Sequence, residues 1–84
     1  MVELVYFAWV RERIGTDSET LALPPGIAVV SDLLDWLANR SPGHAAALID
    51  RDAIRVAIDQ DFVGMNARIT GAQEIAIFPP VTGG

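Results

Sequence analysis

The run Leu4-Val5-Tyr6-Phe7-Ala8-Trp9-Val10 is the longest unbroken apolar stretch of the chain and constrains its fold more than any other feature. It is far shorter than the roughly 20 residues a membrane helix requires. Taken as an extended segment, Val2, Leu4, Tyr6 and Ala8 fall on one side and Glu3, Val5, Phe7 and Trp9 on the other. Both sets are mostly apolar and β-prone. A strand covered on much of both faces is therefore expected here, placed centrally in its sheet.

The remaining pattern supplies partners for that strand. Val10 to Ile14 reads as a helical turn closed by Gly15, and Glu19 to Leu23 as a second strand returning antiparallel. Pro24-Pro25-Gly26 stops it, because neither proline can donate to a ladder. Val30, Leu33, Leu34 and Leu37 recur at i, i+3, i+4 and i+7, one apolar helix face. Asp32 and Asp35 near its start and Arg40 near its end suit the helix dipole. Ser41-Pro42-Gly43 is expected to end that helix, with a further short helix over His44 to Ile49. Ile54 to Ile58 reads as a strand, Asp59-Gln60-Asp61 as a turn, Phe62-Val63 as a stub and Glu74 to Phe78 as the last strand. This order predicts an α+β fold of the β-grasp kind, a mixed sheet wrapped around one main helix. It assigns residues 1–78 to the domain and 79–84 to an extended tail.

Composition narrows the chemistry. An 84-residue chain that is 51% hydrophobic holds one small core, and its mean hydropathy of +0.34 reads either as a rich core or as an apolar patch left exposed for a partner. The net charge is −5, and arginine supplies every basic side chain because lysine is absent. No basic stripe exists to displace counterions, so nucleic acid is a poor partner and a basic protein a better one. No signal peptide or membrane span is apparent, which predicts a cytoplasmic protein. Absence of cysteine removes disulfides, thiolate metal sites and a cysteine nucleophile. The lone His44 has no partner to complete a metal set, so no metal is expected. A serine triad lacks its elbow motif, and Asp50-Arg51-Asp52 and Asp59-Gln60-Asp61 lack the spacing of a calcium loop. Trp9 and Trp36 read as packing residues.

The end of the chain is its most unusual segment. After Phe78 come Pro79, Pro80, Val81, Thr82, Gly83 and Gly84. The prolines hold the backbone extended, and six residues at about 3.3–3.6 Å each can reach about 20 Å. Two terminal residues without Cβ make the thinnest peptide a narrow channel can admit. A terminal carboxylate becomes an electrophile only once its oxygen is made a leaving group, which an ATP-using partner achieves by forming an acyl-adenylate.

This tail, with Glu74-Ile75-Ala76-Ile77-Phe78 before it, resembles the end of the small sulfur-carrier subunits of molybdopterin synthase. The opening Phe7-Ala8-Trp9-Val10-Arg11-Glu12-Arg13-Ile14-Gly15 is similar to that family's first segment, and the helix at 30–37 and Ala57-Ile58-Asp59-Gln60 fall where the family has them. The chain departs from it at Asp59, often Asn, and at Gly71-Ala72-Gln73, where Asp-Gly-Asp is common. The resemblance implies that Gly84 is adenylated by a ubiquitin-activating-like adenylyltransferase, converted to a thiocarboxylate, and inserted into the large synthase subunit to give sulfur to cyclic pyranopterin monophosphate. Gly83 then provides clearance, and Thr82, Val81, Pro80 and Pro79 form the spacer. A heterotetramer of two small and two large subunits is implied, with no cofactor bound and ATP used by the activating partner. Phe78, at the mouth of the tail, and Phe62 read either as ordinary packing aromatics or as anchors for the large subunit. Arg11 reads as a solvated arginine or as the partner of an acidic group. The competing expectations are a sulfur carrier for another pathway, such as thiamine thiazole synthesis, and a ubiquitin-like modifier or binding module.

Overall fold

The N-terminal apolar run is divided between two elements in the computed structural model, which describes residues 1–80. Strand β1 (Val2–Tyr6) ends, and Ala8 takes a left-handed conformation with φ 54°, opening helix α1 (Ala8–Ile14). That abrupt turn delivers Val10 to the core, and Trp9 packs partly buried at its margin. Gly15, with φ 96°, closes α1 as expected and donates its N–H to the Arg11 carbonyl.

Strand β2 (Ser18–Leu21) returns antiparallel to β1. Helix α2 (Val30–Ala38), helix α3 (Pro42–Leu48) and a 3₁₀ turn (Arg51–Ala53) follow. Strands β3 (Arg55–Ile58) and β4 (Asp61–Val63) form a hairpin, and β5 (Glu74–Phe78) completes the sheet. The sheet order is β2-β1-β5-β3-β4, with β5 parallel to β1 and antiparallel to β3. This is the expected α+β β-grasp arrangement. No helix among the described residues is long and apolar enough to cross a membrane.

The core lies on one face of the sheet. Val2, Leu4 and Tyr6 of β1 and Ile75 and Ile77 of β5 meet Val30, Leu33, Leu34 and Leu37, the four positions picked out by their helical spacing. The expected central strand is corrected here. β1 is interior, between β2 and β5, but the middle of the sheet belongs to β5, and β1 is covered on one side only. Helices pack against a single face, so Glu3 and Phe7 stay exposed and Val5 half-buried.

Helix α2 begins without a serine or threonine cap. Asp32 Oδ2 accepts the N–H groups of Ala28 and Val29 at 3.1 and 3.3 Å. The N–H groups of Val30 and Ser31 go to the carbonyls of Ala67 and Met65, so the loop before β5 satisfies donors that the helix cannot. Ser41-Pro42-Gly43 does more than end α2. Ser41 caps α3, its Oγ accepting the His44 N–H at 3.1 Å, and Pro42 takes the first turn, where it forgoes no hydrogen bond.

At the β3–β4 hairpin, Asp59 and Gln60 both adopt positive φ, 48° and 76°, the two-residue turn that matches strand twist. The departure from Asn at position 59 leaves this geometry intact, because Asp59 Oδ1 accepts the N–H groups of Gln73 and Glu74 at 3.1 and 2.9 Å.

Gly43 marks a close approach of α3 to the end of α1. A Cβ there would lie 2.5 Å from the Arg13 carbonyl oxygen and 3.2 Å from that of Ile14. Both obstacles are backbone, so α1 and α3 would have to separate. The Gly43→Ala variant is expected to lose about 1–3 kcal/mol of unfolding free energy, read from denaturant titration against the parent chain.

Candidate functional site

Period-two alternation decides what lies on the face that the helices leave bare. In β5, Ile75 and Ile77 enter the core, so Glu74, Ala76 and Phe78 face the other way. The register then lines up Ser18, Val5, Ala76, Ala57 and Phe62 as one row across the sheet. Phe78 stands opposite Arg55 in the next row, toward the end where the chain leaves the sheet.

Phe78 and Phe62 come together there. Their ring centroids are 5.4 Å apart with planes inclined at 43°. Phe78 is half-buried, whereas Phe62 is 78% exposed. With Arg55, Val56 and Val63 they line a shallow groove of about 220 Å³. Phe78 is thus outside the core, on the open face at the root of the tail. Phe7, which the sequence pattern assigned only to a strand face, is 48% exposed on the same side, and its N–H donates to the Ile77 carbonyl. Arg11 does not join the aromatic pair. It is exposed on α1 and borders a separate depression with Val5, Phe7 and Ser18 and with the acids Glu3, Asp17 and Glu74, on the β1–β2 side.

Pro79 and Pro80 follow Phe78 and are half-buried. Neither has an N–H, so β5 pairing ends at Phe78 on the sheet's midline. The tail positions Val81, Thr82, Gly83 and Gly84 lie outside the described residues. Among the described residues, no group of three or more His, Asp or Glu could hold a metal ion.

Residues 4–84 match the model of the ThiS family. The chain belongs to the ThiS family. Among curated relatives of this family member, the molybdopterin synthase sulfur carrier subunit of Escherichia coli is 37% identical over 84 residues, the whole of both chains. The human subunit of the same name is 35% identical over 86 residues, covering 99% of this chain and 93% of the relative. A putative molybdopterin converting factor subunit 1 from Pyrococcus furiosus superposes with a TM-score of 0.75 at 28% identity, covering 95% and 97% of the two chains. Small archaeal modifier protein 1 of Haloferax volcanii gives 0.70 at 28% identity, with the same coverage.

The ThiS-family chain also holds a polar assembly on its helix side, which sequence reasoning missed. Glu19 faces inward from β2, opposite Leu4. Its Oε2 accepts from the Tyr6 hydroxyl at 2.7 Å and lies 2.8 Å from His44 Nε2. Arg40 approaches Oε1 at 3.6 Å. His44 Nδ1 is 2.7 Å from Ser41 Oγ. With the proton on Nε2, His44 donates to Glu19 and accepts from Ser41, so every member is satisfied. The Ser-His-Glu order looks like a catalytic relay, but His44 is only 6% exposed, and Ser41 Oγ is engaged as the α3 cap. The assembly instead pins β2 to α3. A signal for it existed: Glu19 shares strand parity with Leu21 and Leu23, so an acid stood on an apolar face in a chain with one histidine.

Burial pushes the Tyr6 hydroxyl well above its usual range, and the hydrogen bond to the Glu19 carboxylate adds to the shift. For Glu19 burial acts upward, but hydrogen bonds from His44 and Tyr6, the charge of His44 when both its ring nitrogens are protonated, and the charge of Arg40 outweigh it, holding the carboxyl below 4.5. A depressed folded-state value contributes stability above the unfolded value and loses it as pH falls through the folded one. Glu19→Gln is therefore expected to melt at lower temperature than the parent at neutral pH. The gap should close as the pH falls below 4.5 and through the lowered folded-state value, as read from melting temperatures across an acid pH series.

Proposed function

We propose that this chain is a sulfur-carrier subunit acting in molybdopterin synthesis, with Gly84 as the carrying residue. The observation that best supports this reading is the course of β5. The strand runs through the middle of the sheet and releases the chain at Pro79-Pro80, beside the exposed Phe62–Phe78 pair. Full-length similarity to curated sulfur carrier subunits supports it from the other side.

In this mechanism an adenylyltransferase of the ubiquitin-activating kind joins the Gly84 carboxylate to the α-phosphate of ATP and releases pyrophosphate. A sulfur donor then displaces AMP, leaving a thiocarboxylate. Pro79 to Gly83 carry that group into the large synthase subunit, where its sulfur bonds to a carbon of cyclic pyranopterin monophosphate and water then cleaves the bond between that sulfur and the Gly84 carbonyl carbon, returning Gly84 to a carboxylate. Phe78 and Phe62 seat the globular domain on the large subunit, and Arg11 meets an acidic group at the edge of the contact. Two small and two large subunits form the working assembly. The domain contributes grip and reach, and the reaction centre belongs to the partners.

Incubation with ATP, the activating enzyme and a sulfur donor is expected to exchange one oxygen for one sulfur, read by intact mass. A chain extended beyond Gly84 by one bulky residue should gain no sulfur. Phe62→Ala should weaken binding to the large subunit by about tenfold or more, measured calorimetrically, with the melting temperature nearly unchanged because the ring is largely exposed. The likeness to small archaeal modifier protein 1 favours one second reading, a ubiquitin-like modifier. That protein would appear in the same mass measurement joined to another polypeptide.

A further inference from the structure

The open face is electrically divided along the strands. At the tail end stand Arg55, opposite Phe78, and Arg11 on α1, the latter sharing with Asp17 a depression that extends along β1 to Glu3 and Glu74. Arg55 Nη1 donates to the carbonyls of Asp52 and Ile54, which fixes the guanidinium without neutralising it. At the other end Glu3 and Glu74 are register partners on neighbouring strands, and with Asp59 they border an open depression free of basic residues. Like charges placed directly across a strand pair destabilise it. None of these charged side chains has an ion-pair partner among the described residues, whose salt bridges involve Glu19, Asp35, Arg40, His44 and Arg51. Four residue steps of β5, about 13 Å at 3.2–3.4 Å each, separate Glu74 from Phe78. Between the two ends lies the apolar row that includes Val5 and Phe62.

We infer that this polarity keys the orientation in which the domain docks, and that the occupant is the protein that accepts the tail. That partner would present acidic side chains beside the mouth of its tail channel and basic ones about 13 Å away along the strand direction. The inference rests on the sulfur-carrier reading for the identity of the partner. Continuity supports this occupant over others, because the face borders the point where β5 releases the chain, so a protein that swallows the tail must also cover the face. Reversing the domain on the same apolar row would set like charges against each other and aim the tail away from the channel.

The test is the association rate with the large synthase subunit at about 0.01 M and about 1 M ionic strength, where the Debye length is about 30 Å and 3 Å. The Glu3→Gln/Glu74→Gln variant should associate about tenfold more slowly at low ionic strength and at the parental rate at high. The Arg11→Gln/Arg55→Gln variant should slow likewise. This second arm separates keyed docking from bulk attraction. Losing two cations takes the net charge from −5 to −5 − 2 = −7, which would speed approach to a partner that merely carries positive charge. Faster or unchanged association of the arginine variant, or an unchanged glutamate variant, overturns the inference. So does a salt-sensitive dimer of this chain alone in sedimentation, lost in the glutamate variant, which would assign the face to a second copy. Failure of the parent chain to bind the large subunit at all would instead sink the carrier reading, and the inference with it.

Discussion

Strand β5 has to do two things at once, and most of the structure serves that double demand. Its inward side chains, Ile75 and Ile77, must be sealed by α2 to hold the domain together. On the proposed reading, its outward side and its far end remain available for the protein that grips the domain and receives the chain. Pairing to β1 on one edge and β3 on the other satisfies its backbone and makes it rigid up to Phe78. Pro79 then ends the ladder, since it has no hydrogen to donate. A tail leaving an edge strand would start from the periphery of the sheet. Leaving from the midline, it starts beside the sheet face that the helices leave bare.

The one-sided helix layer is what keeps that surface bare. α1 and α3 meet closely at Gly43, α3 is bound to β2 through Ser41, His44 and Glu19, and α2 is seated by the carbonyls of the loop before β5. These contacts all fall on the same side of the sheet. The polar assembly there resembles catalytic machinery in its composition yet is closed to any substrate. The chemistry proposed for the chain needs nothing from it beyond a firm frame. Among the described residues the bare face carries no buried polar network; its features there are exposed rings and charges without ion-pair partners, the materials of recognition.

Much of this was legible in the residues. The spacing of Val30, Leu33, Leu34 and Leu37 located the main helix and its buried face, and the prolines after Phe78 located the end of the last strand. What local pattern concealed was the number of layers. An apolar run such as Leu4 to Val10 looks the same whether its second face meets another helix or a partner protein, so β1 was expected at the centre when β5 holds that place. Ala8 was also unreadable, because a left-handed alanine leaves no mark in an alternation pattern, yet it turns a continuous apolar stretch into strand and helix. Ser41-Pro42-Gly43 carries the signals of a helix stop and a helix start together, and only the capping bond to His44 separates them. The Glu19 assembly spans residues 6 to 44, so no short window could contain it.

Because α2 and α3 sit behind the sheet, the molecule has a back that the proposed contacts never touch. Ala45 and Ala46 are exposed there, on α3. A fluorophore or an immobilising linker attached at either position would leave the working side unobstructed and the chain end untagged. The same separation lets the rear surface drift in composition, so two relatives could share a docking partner while looking unrelated from behind.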